Sequence, residues 1–101
     1  MMRPVIVSPN TRKQGLEIYA TYKSIRESLA VRFKLNFEET LTFISNNPLA
    51  RPAIFKKSRR ILMKNFPYYI YYSIQTDRIA IWSIYHKSRD LEPLRKKEKE
   101  V

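Results

Sequence analysis

At 101 residues the chain is long enough for one domain with one modest core and too short for two that each bury their own apolar surface. Its 44% apolar and 13% aromatic residues let it compact. A net charge of +11 points to an acidic partner without selecting among nucleic acid, ribosome, acidic protein segment or anionic lipid. The absence of cysteine and the single histidine exclude a disulfide framework, a thiolate or His-rich metal site and a cysteine nucleophile, so neither metal nor cofactor is expected.

The opening apolar run stops at Ser8-Pro9, too early for a secretory h-region, and no segment approaches membrane-spanning length; a cytoplasmic protein without a membrane partner is expected. Val5 to Val7 is a short β-branched run that Ser8-Pro9 ends, with serine or asparagine then capping a helix. From Asn10 to about Arg26, Leu16, Tyr19, Tyr22 and Ile25 recur at three-residue spacing, a helical period with Gly15 as its weak point. Ser28 to Asn46 carries one stripe, Leu29, Phe33, Phe37, Leu41 and Ile44, and Asn47-Pro48 stops that helix. Two antiparallel helices joined near Lys23 to Glu27 form a hairpin whose shared apolar side needs a cover.

Strands from the second half supply it. Lys56 to Lys64 reads as a strand, and Phe66 to Ile74 as another, with Phe66, Tyr68, Ile70, Tyr72 and Ile74 on one face and Tyr69, Tyr71 and Ser73 on the other. A polar turn, Gln75 to Arg78, then joins it to Ile79 to Tyr85 as a hairpin. The expected fold is α+β in the order β-α-α-β-β-β: a helical hairpin on one face of a small antiparallel sheet whose other face is open. The domain covers 1–101, with 95–101 a charged, frayed tail.

The strand Phe66-Pro67-Tyr68-Tyr69-Ile70-Tyr71-Tyr72, the run Arg78-Ile79-Ala80-Ile81 and the ending Ile84-Tyr85-His86-Lys87-Ser88-Arg89-Asp90 resemble the closing hairpin of RelE/ParE toxins. Asn47-Pro48 before a basic strand with Arg59-Arg60, and Ser8-Pro9 opening a helix with Ile18-Tyr19, extend the resemblance over nearly the whole chain. Gly15, at a helix position usually apolar in the family, and Leu91, where a proline often follows Arg-Asp, depart from it. Gly15 costs the first helix roughly 1 kcal/mol relative to alanine.

The resemblance implies the toxin of a type II toxin-antitoxin pair, wrapped by the C-terminal segment of a cognate antitoxin in a hetero-oligomer. It also implies one of two activities. ParE-like members poison DNA gyrase; RelE-like members enter the ribosome and cut mRNA. The His-x-x-Arg-Asp ending and the Ser-Pro helix start are closer to the ParE branch, so gyrase inhibition without enzyme activity leads, with the ribosome-dependent mRNA endoribonuclease as the alternative.

Cutting RNA needs a base, cations on the phosphate and usually an acid. His86, the one side chain of a type that exchanges protons near neutrality, is the catalytic candidate if the chain is a nuclease; otherwise it orients the Arg89-Asp90 segment. Lys56, Lys57, Arg59 and Arg60 alternate in direction along the second strand, so one pair faces the open side, to grip a phosphate or acidic peptide or to block strand addition at an edge. Arg89 is either a carboxylate or phosphate clamp or half of an internal ion pair with Asp90. Tyr69 and Tyr71, on the open face, are expected at the antitoxin or target interface, and Trp82 is expected to pack on the same face as Ile84 and His86.

Overall fold

Ser8 starts the first helix as expected: its side chain accepts from the Thr11 N–H at 3.1 Å and Pro9 occupies the first turn. In the computed structural model, which describes residues 3–98, the elements run β1 (Val5–Val7), α1 (Pro9–Ile25), α2 (Glu27–Asn46), β2 (Ser58–Leu62), β3 (Tyr68–Ile74), β4 (Ile79–His86) and α3 (Glu92–Glu98). The β-α-α-β-β-β order of an α+β domain is present, followed by one more helix. No helix among the described residues is long and apolar enough to cross a membrane.

The sheet runs β1-β4-β3-β2 and is mixed, not wholly antiparallel, because β1 pairs parallel to β4, Val5 opposite Ile79 and Val7 opposite Ile81. The helical hairpin makes this parallel pairing by carrying the chain across one face of the sheet before it returns. Strands β2 and β3 each start two residues later than expected, at Ser58 and Tyr68, while β4 starts at Ile79 as expected. Pro67 has no ladder donor, and the Tyr68 N–H turns back to the Phe66 carbonyl, 2.8 Å away, so β3 begins at Tyr68.

The α1–α2 hairpin packs on one face, where Phe33, Ile44, Ile61, Ile70, Tyr72, Ile81 and Ile84 form the main core. The helical stripe is rotated from the expected one: Asn36 and Thr40 are buried beside Phe33 and Ile44, while Leu29, Phe37 and Leu41 are half-buried. Asn36 is tolerated at that depth through its side-chain oxygen, which accepts the Asn65 N–H at 3.2 Å.

A bulge in β4 changes which side chains share a face. Tyr71 pairs with Ser83 and Tyr72 with Ile81, so Trp82 is the extra residue. Alternation breaks there, and Trp82 turns to the far face while Ile84 stays with the helices. The expectation that Trp82, Ile84 and His86 share one side is thereby corrected. Gln14 of α1 repairs the interrupted ladder: its Oε1 accepts the Ile84 N–H at 3.0 Å.

The far face is not open. Phe55 from the loop before β2 and Leu94 from α3 close over Tyr71 and Trp82 in a second, smaller core, with Ile54, Tyr69, Tyr85 and Leu91 around it. The Trp82 indole N–H finds a partner there, donating to Ser58 Oγ at 3.1 Å. The frayed tail expected from Arg95 is also corrected, since Glu92–Glu98 is helical and buries Leu94 and Glu98 on one side; 99–101 lie outside the described residues. Pro93 in its first turn and Arg95, Lys96 and Lys97 in its last suit a helix and its macrodipole.

Candidate functional site

His86 closes β4, half-buried against the helical side of the sheet. Its ring meets Tyr68, the residue opposite it on β3, edge-on with centroids 5.3 Å apart. Nδ1 accepts the Ser88 N–H at 3.1 Å and lies 2.8 Å from Ser88 Oγ. A backbone N–H only donates, so the proton of the neutral ring is on Nε2. The His86 carbonyl in turn accepts the Arg89 N–H at 3.0 Å, and the histidine thereby shapes the turn after the strand.

Glu17, with Gln14 of the same helix, lines the groove that His86, Ser88 and Arg89 border. Sequence reasoning misses it, although Gln14, Glu17 and Thr21 repeat at three and four residues as one polar stripe on α1. Beside Tyr68, burial first and then the Tyr68 hydroxyl hold the Tyr22 phenol above its ordinary value.

The four basic residues assigned to the second strand do not act as one row. Lys56 and Lys57 are exposed in the bend before β2, which begins at Ser58, and the Lys57 N–H is held by a Glu98 carboxylate oxygen at 3.1 Å. Arg59 and Arg60 do alternate. Arg59 donates to the Arg51 carbonyl, whereas Arg60 lies 3.9 Å over the Tyr69 ring and 3.4 Å from the Tyr71 hydroxyl.

These cations and His86 are far apart. Arg59 is opposite Tyr72 and His86 is opposite Tyr68, so four residue steps along β3, about 13 Å of strand, separate them. Arg89 is nearer, but its guanidinium sits 4.9 Å over the Tyr85 ring. It makes no ion pair with Asp90, whose Oδ1 instead accepts the Glu92 N–H at 3.2 Å where α3 begins.

Tyr71, expected at an interface, is only 1% exposed beneath Phe55 and Trp82. Burial holds its phenol above the ordinary value, with Arg60 acting in the opposite direction. Tyr69 is half-buried and reachable.

A third feature lies between the helices. Val7, Leu16, Tyr19, Phe37 and Leu41 line an apolar groove rimmed by Arg12, Lys34 and Glu38, and Leu16 there is 69% exposed. Gly15 borders the groove too, and a Cβ added to it would meet nothing within 4 Å. Its departure from an apolar residue therefore leaves no hole in the core.

A family model described as the ParE toxin of the type II toxin-antitoxin system, parDE, matches residues 5–91. The chain belongs to the ParE toxin family. No curated protein matches it significantly. Among solved structures, a chain of the chromosomal ParDE toxin-antitoxin system from P. aeruginosa superposes with a TM-score of 0.73 at 16% identity, over 84% of this chain and 96% of that one. At that identity the likeness speaks for the fold. The ParE match ends at Leu91, just before α3, so the helix that covers the second core lies beyond the matched residues.

Proposed function

We propose that this ParE-family chain arrests growth by binding DNA gyrase, without cutting RNA, and that a cognate antitoxin holds it inactive. The observation that carries the choice is the separation of His86 from the basic residues of β2. An RNA cutter needs its base and its phosphate clamp on one reacting group. Here Arg59 and Arg60 point to opposite faces of the sheet, and His86 has its Nδ1 engaged by Ser88.

The helix-hairpin groove supports the antitoxin part of the reading. Its floor is apolar and, among the described residues, its rim carries Arg12 and Lys34 against the single carboxylate of Glu38, a balance that suits an amphipathic, acidic helix docking along it. Such a segment, ordered only on contact, brings affinity that falls with salt yet keeps an apolar component.

One observation favours the nuclease. Glu17, His86 and Arg89 border a single groove, which supplies two proton-transfer groups and one cation. Against it, the His86 Nδ1 is engaged by the Ser88 N–H, and among the described residues Arg89 is the one cation bordering that groove.

The test is expression of the chain with and without the product of the adjacent short reading frame. Growth arrest accompanied by the DNA-damage response, and relieved by co-expression, supports the proposal. Arrest without that response, or no affinity between the two products, contradicts its gyrase or its antitoxin half respectively.

A further inference from the structure

Across the far face of the sheet, at its His86 end, two arginines lie over two neighbouring tyrosines. Tyr69 and Tyr85 are directly opposite each other on β3 and β4. Arg60 lies 3.9 Å over the first ring and Arg89 4.9 Å over the second. Both tyrosines are half-buried around the small core, which holds their rings in place beneath the two guanidinium groups. Among the described residues neither arginine has a carboxylate within ion-pair distance, and Lys87 is exposed nearby in the turn after β4.

We infer that this Arg60–Tyr69–Tyr85–Arg89 band binds a nucleic-acid strand whose bases are unpaired. Guanidinium groups and tyrosine rings side by side form a cationic, planar-group surface on which an unpaired base can stack, and every base has such a face. Arg60 directs one N–H to the Tyr71 hydroxyl at 3.4 Å; its other N–H groups and those of Arg89 remain for phosphate oxygens, with Lys87 adding charge at the side. A carboxylate would use only the N–H edges and gain nothing from the aromatic surface. A duplex keeps its bases inside, out of reach of that surface. This contact stands beside the gyrase reading and does not rest on it.

The preference for single strands separates the inference from the general attraction of a chain carrying +11. Charge alone favours the duplex, whose phosphates are denser. Stacking favours the single strand. The measurement is fluorescence anisotropy of the full chain with a labelled twelve-nucleotide oligo-dT and with a duplex of the same length, over a salt series.

Oligo-dT is expected to bind more tightly than the duplex. The double variant Arg60→Gln/Arg89→Gln is expected to weaken oligo-dT binding by about tenfold or more. Lys13→Gln/Lys23→Gln removes equal charge from α1, which packs on the opposite face of the sheet, and is expected to weaken it by less than about threefold. Tyr69→Leu keeps the charge and the apolar packing but removes one stacking support, and it lowers oligo-dT affinity while duplex affinity holds.

Tighter duplex binding, or equal losses in the two charge variants, overturns the inference. So does indifference to oligo-dT at low salt combined with binding to polyglutamate, which would assign the band to an acidic protein segment.

Discussion

Nδ1 of His86 accepts the backbone N–H of Ser88, two residues further along the turn, at 3.1 Å. The ring is thereby built into the end of β4, and only Nε2 is left to meet anything outside. His86→Ala is expected to keep the fold and most of the toxicity, tested by growth arrest at matched protein levels. A nuclease using this ring would lose on the order of 10² to 10⁴ in rate.

The Trp82–Ser58 hydrogen bond predicts a stability change that packing alone does not. Ser58→Ala leaves a buried indole N–H without its partner and should cost about 1 to 3 kcal/mol, read as a lower urea midpoint with an unchanged slope. A Ser58→Ala midpoint equal to that of the unmodified chain would show that the indole has another partner.

Gln14 serves the bulge in the same way. Gln14→Leu should free the Ile84 N–H, cost about 1 to 3 kcal/mol, and speed hydrogen exchange at Ile84 more than at its neighbours. Uniform exchange rates along β4 would contradict the assignment.

Leu94 holds α3 on the second core. Leu94→Ala should cost about 2 to 5 kcal/mol and, if α3 detaches, shift Trp82 emission to the red as water reaches the indole. A stable variant with unshifted emission would mean that α3 contributes little to covering that face.

Gly15→Ala should stabilise α1 by about 1 kcal/mol, because the added methyl meets open space and removes the helix penalty of glycine. Gly15→Arg, which removes the same glycine penalty but places a long charged side chain beside the groove, should not lower the melting temperature and should weaken antitoxin binding in a titration. Unchanged antitoxin affinity would move the docking surface elsewhere.

The elements that sequence alone reveals are those whose signal is local. Ser8-Pro9 marks a cap, Phe33 and Ile44 mark one side of α2, and Ile70 and Tyr72 mark the inward face of β3. What escapes depends on contacts distant in sequence. No residue near Val5 announces a parallel partner at Ile79, and no glycine flags Trp82 as a bulge, so simple alternation puts Trp82 on the wrong side. Tyr71 looks available in sequence because its cover comes from Phe55 and from Leu94, the latter inside a run of charges that reads as a tail. Of the candidate site, His86, Arg60, Arg89 and Tyr69 are legible in sequence; the placement of the two arginines over tyrosine rings, and Glu17, become visible only with the strands in register.

Supercoiling and translation measured in parallel bear most directly on the central claim. Purified toxin would be added to gyrase with relaxed plasmid, and in a separate reaction to a translating ribosome whose mRNA is read by primer extension. The account predicts loss of supercoiling with the mRNA intact. Cleavage at codon positions within the ribosomal A site, with supercoiling unaffected, would contradict it.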